Sequence, residues 1–127
     1  MHFVGFLAFL LSQVRGIERD NKIMSFLLEG KTAVVTGAGA GIGRAIARAF
    51  ATQGAAVIVA EKNTESGQRV ATELANLGPP GQFVPLDVTD VDSVRAALQG
   101  VLEREGCIDI LVNNAYPTMA YAPSHIH

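Results

Sequence analysis

TGAGAGIGRA, residues 36–45, places a glycine at every second position from 37 to 43. Glycine loses more backbone entropy on folding than any other residue, so a cluster of glycines costs stability. Bare main chain at this point therefore serves either a tight turn or a ligand that approaches the backbone. The segments on either side show where in a fold this stretch lies.

Strand and helix patterns alternate strictly around the stretch. Four short apolar segments predict strands at residues 32–37, 55–61, 82–88 and 107–115. Three segments with apolar residues at helical spacing predict helices at residues 41–54, 64–78 and 90–105. Strict alternation implies right-handed crossovers, so the sequence predicts an α/β fold. Its four strands, in the order 3-2-1-4, and three helices form the first part of a doubly wound parallel sheet.

The helical spacing also predicts which residues share a face. In the first helix, Ile42, Ile46, Ala49 and Phe50 lie on one helical face. In the third helix, Val94, Leu98, Val101 and Leu102 face inward. Thr89 is predicted to cap the third helix.

Composition limits the classes of function. The 127 residues are 49% hydrophobic and 17% charged, which suffices for one globular core and not for two. A net charge of −2 provides no basic surface for nucleic acid or an anionic membrane. The apolar run at residues 3–11 is far shorter than the roughly 20 residues of a membrane-spanning helix. The single cysteine, Cys107, favours a reducing compartment, so a cytoplasmic location is expected.

The glycine loop lies where a doubly wound sheet binds its ligands. It follows strand 1, beside the point where the strand order reverses between strands 1 and 4. It also leads into a helix whose first N–H groups are unpaired and whose dipole attracts anions. A diphosphate can approach these groups only where no Cβ intervenes. On the loop alone, a ligand site and a glycine-rich turn without a ligand both stay open.

The spacing of the loop carries more information than its glycine count. The pattern T-G-x-x-x-G-I-G, residues 36–43, resembles the cofactor loop of the single-domain branch of the short-chain dehydrogenase/reductase family. LDVTD (residues 86–90) is similar to the family's adenine-contacting stretch, and DILVNNA (residues 109–115) to its strand-4 motif. The resemblance implies a Rossmann-like fold and hydride transfer between NAD(P) and an alcohol or ketone. The family's glycine after the strand-4 motif is replaced by Tyr116.

The resemblance also implies a set of cofactor-binding residues. Those near the pyrophosphate would be Gly37, Gly41, Ile42 and Gly43. Those near the adenine and the riboses would be Asp87, Val88, Asn113, Asn114 and Ala115. Structural roles are open for two of them: Asp87 could close the turn before Thr89, and Asn113 could hydrogen-bond neighbouring strands.

Glu61 bears on the type of cofactor. It ends strand 2, 18 residues after Gly43, close to the roughly 20 expected for the acid that binds the adenosine ribose. A carboxylate there accepts hydrogen bonds from the ribose hydroxyls and repels a 2′-phosphate. NADP-preferring members of the family often carry a basic residue where this chain has Ala40. NAD is therefore predicted, with NADP the less favoured cofactor, although Lys62 is adjacent.

The catalytic part of the family pattern has no match in this sequence. Members use a tyrosine with a lysine four residues later, but the last lysine here is Lys62. No catalytic residue and no metal ligand is therefore assigned. Residues 24–115 are interpreted as a partial NAD(P)-binding domain of a truncated oxidoreductase, from a family that is usually homo-oligomeric. The alternative is a non-catalytic nucleotide-binding fragment or decoy subunit.

The two ends are interpreted separately from that domain. Residues 1–23 are interpreted as an N-terminal extension, with an export signal as the alternative. Residues 116–127 have no periodic pattern and are interpreted as an irregular tail.

Overall fold

The structure, a computed structural model, describes residues 27–115. Strands and helices alternate along these residues: β1 (Thr32–Thr36), α1 (Gly41–Thr52), β2 (Ala56–Glu61), α2 (Thr64–Leu74), β3 (Gln82–Pro85), α3 (Val91–Glu105) and β4 (Ile110–Val112). The predicted extension and tail lie outside the described residues, so the predicted domain boundaries stay predictions.

The four strands form one parallel sheet in the order β3-β2-β1-β4, which confirms the predicted topology. The register pairs Thr36 with Ala60 and Val35 with Val112. Glu61, at the end of β2, pairs with Pro85 at the end of β3. The carboxyl ends of all four strands consequently meet at one edge of the sheet.

Two apolar clusters cover the two faces of the sheet. Alternate residues of β1 point to opposite sides, so Val35 joins one cluster and Val34 the other. The first cluster includes Ile46 of α1 and Leu74 of α2, whereas the second includes Val101 of α3. Helices on both faces of a parallel sheet are the doubly wound arrangement that the alternating pattern predicts.

β3 and β4 end earlier than predicted because side chains accept hydrogen bonds from main-chain amides that follow these strands. β3 ends at Pro85, since Asp87 N donates to Ser93 Oγ at 2.9 Å and turns the chain toward α3. β4 ends at Val112, since the next amides donate to the side chain of Thr36. These two departures place the loops after β3 and β4 at the sheet edge.

The inward faces of α1 and α3 differ in part from the prediction. Ile46 is buried, but Ile42, predicted on the same helical face, is 54% exposed. On α3 the buried residues are Ala97 and Val101, and Leu102 is 47% exposed. Leu102 follows Val101 by one residue, which is a rotation of about 100° around the helix. The two side chains therefore cannot both point toward the centre of the sheet.

The predicted cap of α3 is also wrong. Asp90 caps the helix, because its Oδ1 accepts hydrogen bonds from Asp92 N at 3.0 Å and Ser93 N at 3.3 Å. Thr89 instead donates its hydroxyl to Asp87 Oδ1 at 2.6 Å. The threonine hydroxyl is therefore engaged in the preceding turn and not at the helix terminus.

One charged cluster joins α1 to α2 at the surface. Arg44 holds Glu73 with two hydrogen bonds, Nε to Oε1 at 2.9 Å and Nη2 to Oε2 at 2.6 Å. Arg48 Nη1 lies 3.2 Å from Glu73 Oε1. The hydrogen bond from Arg44 is the main cause that lowers the pKa of Glu73 below its ordinary value.

Replacing Glu73 with glutamine should lower the free energy of unfolding at pH 7 by about 0.5–1 kcal/mol, because the cluster is partly exposed. The folded-state pKa is depressed, so the stabilisation is present above the unfolded pKa and is lost as the pH falls through the folded pKa. The difference from the wild type should therefore shrink below about pH 4 in urea titrations. Glu103→Gln is the matched control, since Glu103 accepts only a 3.4 Å bond from Gln99. A Glu73→Gln effect that is constant down to pH 2 would contradict the ion-pair explanation.

Candidate functional site

The glycine loop crosses the sheet edge between β1 and α1. Gly37 and Gly41 have φ angles of +66° and +57°, a left-handed conformation that glycine adopts without strain. Gly37 N donates to Ala60 O at 2.8 Å, which ties the start of the loop to β2. The loop thus combines a sharp turn with a fixed position beside the neighbouring strand.

The glycines of the loop are bare for different reasons. A Cβ on Gly43 would lie 2.6 Å from Asn114 Nδ2 and would also meet the Gly37 carbonyl. A Cβ on Gly37 would lie 3.0 Å from the same amide nitrogen. A Cβ on Gly41 would meet no atom within 4 Å. The Gly37 carbonyl and the Asn114 side chain therefore explain Gly43. The left-handed φ and the end of β4 explain Gly37, whereas Gly41 faces open space.

The first turn of α1 is open to an anion. Its N-cap, Ala40, provides no side-chain cap, and its first turn contains no acidic residue. By contrast, Asn63 caps α2 and Asp90 caps α3, and both helices carry an acidic residue in the first turn. Side chains therefore satisfy N–H groups at the other two helix starts but not at α1, where the dipole favours negative charge.

Thr36 joins the loop to the end of β4. Its Oγ1 accepts hydrogen bonds from Asn114 N at 2.9 Å and Ala115 N at 3.0 Å, and donates to Val112 O at 3.2 Å. Asn114 Nδ2 donates to Gly37 O at 3.3 Å. Sequence reasoning missed this role of Thr36, although the T-G pair was part of the pattern.

Asn113 and Asn114 have different environments. Asn113 is exposed, and among the described residues its side chain makes no hydrogen bond. Asn114, by contrast, donates its side-chain amide to the carbonyl of Gly37 in the glycine loop. Ala115 is half-buried beside Gly37, so the structure brings the end of β4 and the glycine loop together.

Glu61 lies against the same loop. Its Oε1 accepts a hydrogen bond from Gly39 N at 3.1 Å, and its Oε2 accepts one from Asn63 N at 2.8 Å. The side chain is half-buried at the end of β2. Two main-chain donors from separate loops therefore hold a carboxylate next to the open N-terminus of α1.

Asp87 occupies the rim of this edge. Its Oδ1 accepts hydrogen bonds from Thr89 N and Oγ1, which confirms the turn-closing role considered for it. These bonds are the main cause that lowers the pKa of Asp87, and Lys62 Nζ, 3.6 Å from Oδ2, adds to them. Val88 is half-buried and packs against the cluster under α3. Contact of either residue with adenine stays a prediction.

The described part of the chain offers neither a metal site nor a membrane-spanning helix. Within residues 27–115, no three histidine, cysteine or acidic side chains are placed to hold a metal ion. No helix in the same range is long and apolar enough to cross a bilayer.

Comparison with known proteins gives consistent matches. The family model described as short chain dehydrogenase matches residues 31–122. A sorbitol dehydrogenase from Cereibacter sphaeroides is 47% identical over 88 residues, which are 69% of this chain and 33% of that relative. The chain thus spans about a third of the length of the curated relatives that it matches.

Solved structures share the fold. A hydroxysteroid dehydrogenase from Escherichia coli has a TM-score of 0.68 and 41% identity over 71% of this chain and 38% of its own. A 3-ketoacyl-(acyl-carrier-protein) reductase from Brucella melitensis, complexed with NADH, has a TM-score of 0.64 and 41% identity. That match covers 69% of this chain and 35% of the reductase.

Proposed function

Since this chain belongs to the short-chain dehydrogenase family, we propose that its glycine loop and sheet edge bind the nicotinamide cofactor of an oxidoreductase. The reaction is hydride transfer between NAD and an alcohol or ketone. Relatives that include a sorbitol dehydrogenase and a hydroxysteroid dehydrogenase support this class of reaction. Because the chain spans about a third of these relatives, the activity of the whole protein is part of the proposal.

The observation that carries the proposal is the first turn of α1, which begins at Gly41 and has no side-chain cap. A ligand there meets unpaired N–H groups and no side chain, which is what a pyrophosphate requires. When bound, NAD supplies the hydride acceptor, and NADH the donor. The residues of this chain bind and orient it: the first turn of α1 at the phosphates, Glu61 at the adenosine ribose, and the exposed Ile42 beside the dinucleotide.

The remaining assigned residues complete the binding surface in this proposal. Asp87 and the main chain of Val88 border the adenine, and their turn is held rigid by Thr89. Asn113 and Ala115 border the riboses at the end of β4. The exposed side chain of Asn113 leaves its amide available to a ligand.

NAD is proposed over NADP for an electrostatic reason. The Glu61 carboxylate would accept ribose hydroxyls and would repel a phosphate on the 2′-oxygen. Ala40, at the N-cap of α1, offers no positive charge to such a phosphate. Lys62 is 75% exposed, and its Nζ lies 3.6 Å from Asp87 Oδ2.

A second candidate is dinucleotide binding without catalysis. The observation that favours it is the absence, from all 127 residues, of a tyrosine followed by a lysine four positions later. Proton transfer to a carbonyl then has no assigned residue in this sequence. The two candidates differ in one assay, the formation of NADH from an alcohol by the purified chain.

Under both candidate functions, the single cysteine of the sequence, Cys107, supports a cytoplasmic location.

Fluorescence titration of the purified chain tests the cofactor assignment. The wild type should bind NADH at least about tenfold more tightly than NADPH, since lost ribose hydrogen bonds and charge repulsion together exceed about 1.4 kcal/mol. Glu61→Gln removes the charge and should reduce this preference, whereas Glu65→Gln on the nearby first turn of α2 should not. Equal affinities of the wild type for NADH and NADPH would overturn the assignment.

Gly41→Val in the same assay should abolish binding of both dinucleotides, because its side chain fills the space at the start of α1. Gly106→Val is the matched control. Gly106 also has a left-handed φ, +83°, and a Cβ there would meet open space. It follows the C-terminus of α3, however, whereas Gly41 begins α1. Both variants carry similar backbone strain, so a loss of binding in Gly41→Val alone identifies the site.

A further inference from the structure

The backbone conformation at position 39 does not require a glycine. Its φ lies outside the left-handed region, unlike those of Gly37 and Gly41, so an L-residue could adopt this conformation. The space around position 39, however, is too small for a Cβ atom. An ideal Cβ would lie 2.7 Å from Glu61 Oε1, 2.8 Å from Glu61 Cγ and 2.5 Å from Ser66 Oγ.

The atoms that crowd this position are side-chain atoms. An added methyl group therefore displaces the Glu61 and Ser66 side chains and leaves strands and helices in place. Gly43 differs, because there a Cβ would collide with the main-chain carbonyl of Gly37. Position 39 is thus a place where a small change moves one carboxylate without rebuilding the fold.

The same glycine also holds that carboxylate. Gly39 N donates to Glu61 Oε1 at 3.1 Å while Asn63 N donates to Oε2 at 2.8 Å. An ionised carboxylate has about four lone-pair sites, so one main-chain bond on each oxygen leaves acceptor sites for a ligand. The partners lie 22 residues apart in sequence, so the arrangement depends on the folded sheet edge.

We propose that Gly39 is a positioning residue that sets the selectivity between dinucleotides with and without a 2′-phosphate, by holding the Glu61 carboxylate at the ribose position. This inference rests on the proposed function. Gly39 acts through its N–H group, which orients the carboxylate, and through its missing Cβ, which leaves room for it. A residue with a side chain at position 39 weakens both the attraction for ribose hydroxyls and the repulsion of a 2′-phosphate.

A double-mutant cycle on the full 127-residue chain tests the inference, with NADH and NADPH as probes. Gly39→Ala should lower the ratio of NADH affinity to NADPH affinity by about tenfold. In a Glu61→Gln background, the same substitution should change the ratio by less than about twofold. A methyl group that merely obstructs the loop would lower both affinities equally and leave the ratio unchanged.

Gly100→Ala is the matched control, because a Cβ there meets only the end of the Arg104 side chain, at 3.2 Å. It should leave both affinities unchanged. A ligand-free measurement accompanies the titrations: the amide of residue 39, which donates to Glu61 Oε1 at 3.1 Å, should exchange with solvent faster in Gly39→Ala than in the wild type.

The outcomes separate the two proposals. If the wild type binds NADH but Gly39→Ala leaves the affinity ratio unchanged, or changes it equally in both backgrounds, this inference is overturned and the proposed function stands. If the wild type binds neither dinucleotide, the proposed function fails, and the selectivity role of Gly39 fails with it.

Discussion

Replacing Gly43 with alanine should lower the free energy of unfolding by about 3 kcal/mol, the upper end of the usual cost of overpacking a core. The added Cβ would meet the main-chain carbonyl of Gly37, with its carbon at 2.8 Å, and Asn114 Nδ2 at 2.6 Å. Main chain cannot rotate away as a side-chain end can. Relief therefore requires either that α1 moves away from the loop or that the Asn114–Gly37 hydrogen bond breaks.

Urea denaturation of Gly43→Ala beside Gly100→Ala measures this effect. Gly100 lies within α3, where alanine is favoured over glycine by about 0.5–1 kcal/mol, so that control should be as stable as the wild type or more so. The two variants add the same methyl group and differ in what it meets. Equal midpoints for Gly43→Ala and the wild type would show that α1 does not pack on the loop as described.

Thr36→Val should lower the free energy of unfolding by about 2–4 kcal/mol, although valine has nearly the same shape. Thr36 is 4% exposed, and its Oγ1 accepts both Asn114 N and Ala115 N. Each partly buried amide that loses its acceptor costs about 1–3 kcal/mol. The lost hydrogen bonds connect β1 to the residues that follow β4. This end of the sheet should therefore unfold first.

Thr36→Ser is the control, because it keeps the hydroxyl and removes only a methyl group. Hydrogen exchange at the amides of Asn114 and Ala115 should accelerate in the valine variant and change little in the serine variant. Urea titration should show the same order of stability. A valine variant as stable as the serine variant would show that these hydrogen bonds contribute nothing to folding.

The fold followed from local pattern. The alternation of strand and helix segments, with the chirality of crossover connections, predicted the sheet order that the structure confirms. It also predicted that the glycine loop follows β1, at the edge where ligands bind. These features are predictable because apolar periodicity and glycine content are properties of short stretches.

Local pattern was less reliable where two nearby residues competed. Asp90, not Thr89, caps α3, because the hydroxyl of Thr89 bonds to Asp87. Leu102 lies one residue beyond the buried Val101 and is turned toward the surface. A shift of one residue rotates a helix face by about 100°, and the apolar sequence of α3 tolerates either rotation. Packing against the second apolar cluster, which includes Ile58 of β2 and Val84 of β3, selects one of them.

The detailed roles of the site residues came only from tertiary contacts. Gly37, Gly39 and Gly43 look alike in the sequence, yet the missing Cβ atoms of Gly37 and Gly43 make room for Asn114, whereas that of Gly39 makes room for Glu61. Thr36 meets Ala115 across 79 residues, and Gly39 meets Glu61 across 22. No periodicity within a segment encodes such pairs, because they form only when separate strands end at the same edge of the sheet.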